Sequence, residues 1–235
     1  MQAFLTANWR YLAMLNYVVD PALVEPLVPP GTEIDYENGE TFVSIVGFLF
    51  LDTRLVGLPI PLYRDFEEVN LRFYVRRKSA DTWRRGVVFV CELVPRRAIA
   101  LVGRAFYGER YFALPMKHNI KHVDGSLSVE YSWRRGKKWE FLRMSASGKP
   151  ESISTGSHAE FITEHYWGYT TLRDDCSEYR VEHPRWKIWD VTSFEFNADV
   201  TTLYGEQFAE TLSRPPRSAF IADGSSITVQ KREIL

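Results

Sequence analysis

Ten consecutive residues, Phe66-Glu67-Glu68-Val69-Asn70-Leu71-Arg72-Phe73-Tyr74-Val75, constrain the fold of this chain more than any other segment. Side chains on an extended strand alternate between its two faces. One parity holds Glu67, Val69, Leu71, Phe73 and Val75 and is mainly apolar. The other holds Phe66, Glu68, Asn70, Arg72 and Tyr74, which sets a carboxylate, an amide, a guanidinium and a phenol in a row. Two arrangements satisfy the pattern: a sheet with one face in solvent, or a strand whose polar side lines a barrel or cleft.

The rest of the chain reads mostly as strands. Residues 9–19, 41–51, 87–94, 129–145 (a hairpin turning at Arg135-Gly136-Lys137), 161–169, 179–183 and 187–196 carry the branched and aromatic residues of strands. Residues 218–222 and 227–231 read as a closing hairpin around Asp223-Gly224. Glu37-Asn38-Gly39-Glu40 is a tight turn, and Leu58-Pro59-Ile60-Pro61 a loop. Helices are few. Asp20-Pro21 opens a short one that ends before Pro29-Pro30-Gly31. Residues 96–107 have amphipathic spacing and stop at Gly108, and residues 199–212 can form a third helix. The expected class is mainly β with α (α+β): one antiparallel, barrel-like or cone-like sheet with two or three packed helices. With 235 residues, 45% of them hydrophobic, and no linker or repeat, residues 1–235 read as a single domain.

Composition removes several functions. A net charge of -1 is not that of a nucleic-acid or acidic-membrane binder. The basic clusters at 72–85 and 134–138, interleaved with Trp83, Trp133 and Trp139, fall at hairpin turns and read as solvated tips. The longest apolar run, residues 42–51, is too short to span a bilayer. Met1-Gln2-Ala3-Phe4-Leu5 has no basic stretch ahead of an apolar one, so no secretory signal is expected. Cys91 and Cys176 give neither a disulfide framework nor a metal spacing. The expectation is a cytoplasmic protein without membrane or nucleic-acid partners, able to form a homo-oligomer. No phosphate-binding loop or nucleophile elbow is present, and no cofactor is expected. His118 and His122 lie four apart, but Pro115 and Gly125 argue against a helix there, and no third ligand follows, so no metal is expected. His165, between Glu164 and Tyr166 on an expected strand, reads as a packed residue. The segment from Gly108 to His118 sets Glu109 and Lys117 among aromatic residues; a lysine held there could act as a Schiff-base nucleophile.

Thr6-Ala7-Asn8-Trp9-Arg10-Tyr11-Leu12, Val28-Pro29-Pro30-Gly31-Thr32, Val43-Ser44-Ile45-Val46-Gly47-Phe48 and the segment 66–75 resemble the YqjF-like family, a bacterial domain of unknown function. So do Tyr107-Gly108-Glu109-Arg110-Tyr111, Phe161-Ile162-Thr163-Glu164-His165-Tyr166 and Ala222-Asp223-Gly224-Ser225, and the resemblance covers nearly the whole chain. That family is similar, more distantly, to acetoacetate decarboxylase. The relationship implies a cone-like β-barrel with a small-molecule cavity. It also implies an arginine in the first strand, matched by Arg10 ahead of Tyr17 and Asp20, and a cavity glutamate, matched by Glu68. The decarboxylase's Pro-Lys-Lys corresponds to Pro115-Met116-Lys117, which puts Met116 where the imine-forming lysine would stand.

Three readings follow. In the first, a cavity binds a small organic acid or carbonyl compound, with Arg10, Arg72 or Lys117 facing its anionic group and Glu68, Asn70 or Glu109 contributing hydrogen bonds. In the second, the chain is an enzyme of lyase or hydratase type. Lys117, Glu68 and Arg10 are then the catalytic candidates, and true acetoacetate decarboxylation is not expected because of Met116. In the third, Glu68, Arg72 and Glu109 close a buried ion network inside a filled barrel.

Overall fold

A computed structural model describes residues 3–59 and 63–235. The longer strands are, in chain order, β1 (Ala3–Val19), β2 (Thr41–Leu55), β3 (Phe66–Ser79), β4 (Thr82–Val94), β5 (Tyr111–Ala113), β6 (Met116–Val123) and β7 (Ser126–Arg135). They continue with β8 (Lys138–Ser147), β9 (Trp167–Leu172), β10 (Asp175–Glu182), β11 (Lys187–Asn197), β12 (Ser218–Ala222) and β13 (Ser226–Gln230). The helices are short except one: α1 (Pro21–Val24), α2 (Arg97–Tyr107), α3 (His158–Thr163), α4 (Val200–Tyr204) and α5 (Ala209–Ser213).

Pairing of these strands closes on itself. β1 pairs with β2, β2 with β3, β3 with β4, β4 with β9, β9 with β10, β10 with β13, and β13 with β1. All seven junctions are antiparallel except β4–β9, a parallel contact of two residue pairs, Trp167↔Gly86 and Gly168↔Val87. Closure of this kind leaves the ring strands without a free edge at those junctions. The expected mainly β, cone-like architecture is therefore the observed one. β12 lies along β1 and hands over to β11, whose far half pairs with β8. Together β6, β7, β8 and that half of β11 form an outer sheet.

Each parity of a ring strand has its own core. Leu15, Ile45, Leu71 and Phe73 meet Tyr131, Trp133, Leu142 and Met144 of the outer sheet. Leu12, Met14, Phe48, Phe50, Tyr179 and Phe220 belong to a second cluster, inside the ring. A one-residue slip would exchange these two sets, so register is strongly specified. One bulge sets which β1 residues point inward. Arg10 faces Leu49 and Ala13 faces Gly47, so β1 carries one extra residue there, and Tyr11 takes φ 53. The extra residue puts both Trp9 and Leu12 on the inner side.

Several local expectations need correction. Residues 161–169 do not form one strand. Ser157 caps α3 by accepting from Glu160 N at 3.2 Å, the Glu160 carboxylate accepts from Gly156 N at 2.6 Å, and the strand begins only at Trp167. Residues 199–212 are not one helix: Gly205, at φ 109, separates α4 from a 3-10 turn and α5. Leu58–Pro59 is a short strand against β2 rather than loop, while Ile60 and Pro61 lie outside the described residues. Among the described residues no helix is long and apolar enough to cross a membrane.

Candidate functional site

All seven ring strands send side chains into one cavity of about 90 Å³. The polar parity of β3 supplies Glu68, Asn70 and Arg72. The next residue of that parity, Tyr74, does not line it; its hydroxyl shares a 2.6 Å hydrogen bond with Ser44, which donates to Asn16 at 2.6 Å. Register carries the polar row sideways. Asn70 stands opposite Glu92 on β4, and Glu92 stands opposite Tyr111 on β5. Glu109 arrives from the turn after α2, where Gly108 adopts φ 73 and ends the helix.

Tyr179 of β10 completes this side. It faces Gly168 of β9, where a Cβ would lie 2.1 Å from the Tyr179 ring carbon Cζ. The glycine thus makes room for the ring, whose hydroxyl donates to Glu109 Oε1 at 2.6 Å. Trp9, Phe48, Phe50, Phe89, Tyr107 and Trp186 supply most of the remaining wall.

Three carboxyl groups buried in so small a space cannot all ionise at the usual cost. Burial pushes Glu68 up to about 8; the Asn70 amide pulls against this and the Glu109 charge adds to it. Glu109 is raised to about 7 by burial, held back by the Tyr179 hydroxyl and by Glu92. Glu92 lies well above the ordinary range, through burial and then the charges of Glu109 and Glu68. Asn70 Nδ2 donates to Glu68 Oε1 at 3.0 Å.

Arg72 and His165 also line the cavity. Arg72 donates to Ile162 O at 3.3 Å. His165 shares a 3.1 Å bond between its Nε2 and Asp35 Oδ2, and Arg85 Nε donates to the same oxygen at 2.6 Å. Burial opposes ionisation of Asp35, but His165 and Arg85 outweigh it and hold the carboxylate below its ordinary range. Burial lowers His165 to about 4 against the pull of Asp35, so the imidazole is neutral at pH 7.

Six buried polar atoms of the lining have no protein partner among the described residues: Trp9 Nε1, Asn70 Oδ1, Arg72 Nε, Glu92 Oε2, Tyr107 Oη and His165 Nδ1. Buried polar atoms are normally paired, and these six fall within one lining. Glu68, Arg72 and Glu109 bond to Asn70, to a carbonyl and to Tyr179 rather than to one another.

Of the residues singled out from the sequence, Glu68, Asn70, Arg72 and Glu109 come together here. Arg10 and Lys117 do not. Arg10 sits across β1 from Trp9, just before the bulge, and donates to Gly224 O at 3.1 Å. Tyr17 is buried between the sheets and Asp20 caps α1, accepting from Ala22 N at 2.9 Å. Pro115-Met116-Lys117 leaves the ring for the outer sheet, and Lys117 Nζ lies 4.3 Å from the centroid of the Trp139 ring, exposed. No lysine is among the residues lining the cavity.

His118 and His122 are on β6, about 13 Å apart at four strand residues. His118 Nδ1 pairs with Glu67 Oε1 at 2.6 Å. No three His, Cys, Asp or Glu residues among those described could hold a metal ion together. Burial pushes the Cys91 thiol up to about 12, which leaves it unreactive.

Sequence reasoning does not pick out Glu92, Tyr107, Tyr111, His165 or Tyr179 as site residues. Glu92 carries a signal nonetheless: it is the one charge in the apolar run Val87-Val88-Phe89-Val90-Cys91-Glu92-Leu93-Val94. A lone carboxylate in a central strand has to face a partner or a cavity.

Comparison with known proteins agrees with this architecture. The acetoacetate decarboxylase of Legionella pneumophila superposes with a TM-score of 0.68 at 16% identity, over 99% of this chain and 87% of its own. An acetoacetate decarboxylase-like enzyme from Sphingomonas wittichii RW1 gives 0.67 at 13% identity, over 100% and 94%. The enduracididine biosynthesis enzyme MppR, complexed with the condensation product of pyruvate and imidazole 4-carboxaldehyde, gives 0.69 at 13%, over 100% and 90%. At these identities the likeness establishes the fold. In sequence, the uncharacterized protein YqjF of Bacillus subtilis (strain 168) is 28% identical over 208 residues, 87% of this chain and 83% of YqjF. The DUF2071 family of uncharacterized conserved proteins matches residues 6–226, and the chain belongs to that family.

Proposed function

We propose that this chain binds a small organic acid or carbonyl compound inside the ring. The observation that carries the reading is the cavity itself: about 90 Å³, with Arg72 and three buried carboxyls around it. A space of this size suits a small ligand. Arg72 offers a cation to a carboxylate or carbonyl oxygen. The protonated Glu68 and Glu109 can donate as well as accept. That MppR, of the same fold, is complexed with a pyruvate-derived compound supports the ligand class.

A second reading makes the site catalytic, of lyase or hydratase type. It is favoured by Glu68 at about 8 and Glu109 at about 7, two carboxyls that exchange protons near neutral pH. With no lysine lining the cavity, the chemistry would be proton transfer to and from a carbonyl compound rather than an imine.

Isothermal titration with two- to five-carbon acids, aldehydes and ketones tests both. Saturable binding of at least one compound is expected, weakened at least about tenfold in Arg72→Met. Deuterium uptake at carbon next to the carbonyl, followed by proton NMR, reads out the catalytic version. Absence of binding across the panel, or full binding by Arg72→Met, overturns the reading.

A further inference from the structure

The ligand's chemistry is narrowed by a lining imidazole whose second ring nitrogen has no protein partner. His165 follows α3 and is buried against Tyr74 and Phe161, at ring-centroid distances of 4.7 and 5.1 Å. Those contacts fix the ring. Its Nε2 meets Asp35 Oδ2 at 3.1 Å. Asp35 is also held by Arg85 at 2.6 Å, so it is an ionised carboxylate and can only accept. The imidazole hydrogen therefore resides on Nε2, and Nδ1 is left as an acceptor. Nδ1 is buried and has no protein partner, and His165 lines the cavity.

Asn70 repeats the pattern. Its Nδ2 is committed to Glu68 Oε1 at 3.0 Å, which leaves Oδ1 as a second buried acceptor without a protein partner. Arg72 bonds to Ile162 O, three residues before His165, and its own Nε is an unpartnered donor. The lining thus offers a cation and two acceptors.

We propose that the ligand is a short organic acid that also carries a hydroxyl or amine hydrogen, a hydroxy or amino acid rather than a keto acid, selected by His165 Nδ1 and Asn70 Oδ1. This rests on the preceding reading that the cavity takes small acids. A carboxylate on Arg72 brings its neighbouring substituent to the two acceptors. A hydroxyl donates its one hydrogen to one of them, and an amine donates to both. A keto oxygen sets lone pair against lone pair and leaves both acceptors unpaired, the kind of mismatch that sites built for a donor reject strongly. Asp35 is a positioning residue here: it holds the hydrogen on Nε2 and so keeps Nδ1 free.

Titration calorimetry with four three-carbon acids, lactate, alanine, pyruvate and propionate, tests the proposal. Lactate or alanine is expected to bind about tenfold or more tightly than pyruvate and propionate. In His165→Phe that ratio should fall below about threefold. Because this variant can fail to fold, nitrogen-15 NMR of the wild-type histidines provides a second readout. The Nδ1 resonance of His165 should be that of an unprotonated ring nitrogen and should move when the favoured acid is added. Pyruvate or propionate binding as tightly as lactate and alanine, or a protonated Nδ1, overturns the selection while leaving the small-acid reading in place. Failure of all four acids to bind overturns the selection, and failure of the wider panel of acids, aldehydes and ketones overturns the small-acid reading as well.

Discussion

Replacing Glu68 with glutamine should stabilise the protein at pH 8 and leave it nearly unchanged at pH 4. In the folded state burial, aided by the Glu109 charge and opposed by Asn70, moves this carboxyl from 4.5 to about 8. Between those values the folded chain retains a proton that the unfolded chain has released. Stability is therefore fully present below pH 4.5 and declines as pH rises towards 8. Each pH unit of that interval costs about 1.4 kcal/mol, which sets a ceiling of about 5 kcal/mol. Glu92 and Glu109 share the cavity and relieve one another when any one of them is neutral, so a single substitution recovers about 2–3 kcal/mol. Glutamine nearly matches glutamate in shape and still offers an oxygen to Asn70 Nδ2. For a chain of 235 residues, about 2–4 °C accompanies each kcal/mol, so the melting temperature at pH 8 should rise by about 4–12 °C. Thermal unfolding of both proteins from pH 4 to pH 8 measures this directly. A gain that does not grow with pH, or a loss at pH 8, would refute the argument that Glu68 is held protonated by its surroundings.

Two other parts of the geometry can be tested directly. Gly168→Ala places a methyl group 2.1 Å from the Tyr179 ring and should lower stability by about 1–3 kcal/mol in chemical denaturation, and an unchanged midpoint would contradict the close approach. Borohydride reduction in the presence of pyruvate or acetoacetate should leave no stoichiometric adduct on any one lysine, since none lines the cavity; a single-site adduct on Lys117, read by peptide mass, would show the reverse.

Much of the fold is legible in the sequence because the strands carry strong period-two patterns. The alternation in 66–75 alone separates the ring's interior from its outer face. Glu68, Asn70 and Arg72 share that parity and reach one cavity. The failures have physical causes. Arg10 is turned away by a bulge at Tyr11, and a single inserted residue leaves no trace in hydrophobic periodicity. Lys117 is displaced because the chain departs for a second sheet after Pro115, a choice of topology that local sequence does not encode. His165 is illegible as a site residue because its meaning depends on Asp35, 130 residues earlier. Helix α3 is signalled by Ser157 and Glu160 at capping spacing, but the aromatic run that follows suggests a strand.

The pairing of β1 with β13, in which Ala7 meets Ile227 and Thr6 meets Thr228, has a consequence for synthesis. A translating ribosome adds about 5–20 residues per second, so roughly 10–45 s separate the emergence of these two strands. Throughout that interval β1 has its β13-facing edge open and the inner apolar side chains of the ring lack their final cover. Every earlier strand can find its neighbour as it appears; the cavity cannot. It is assembled last, by a contact between segments more than two hundred residues apart, and the nascent chain is exposed to edge-to-edge association until then.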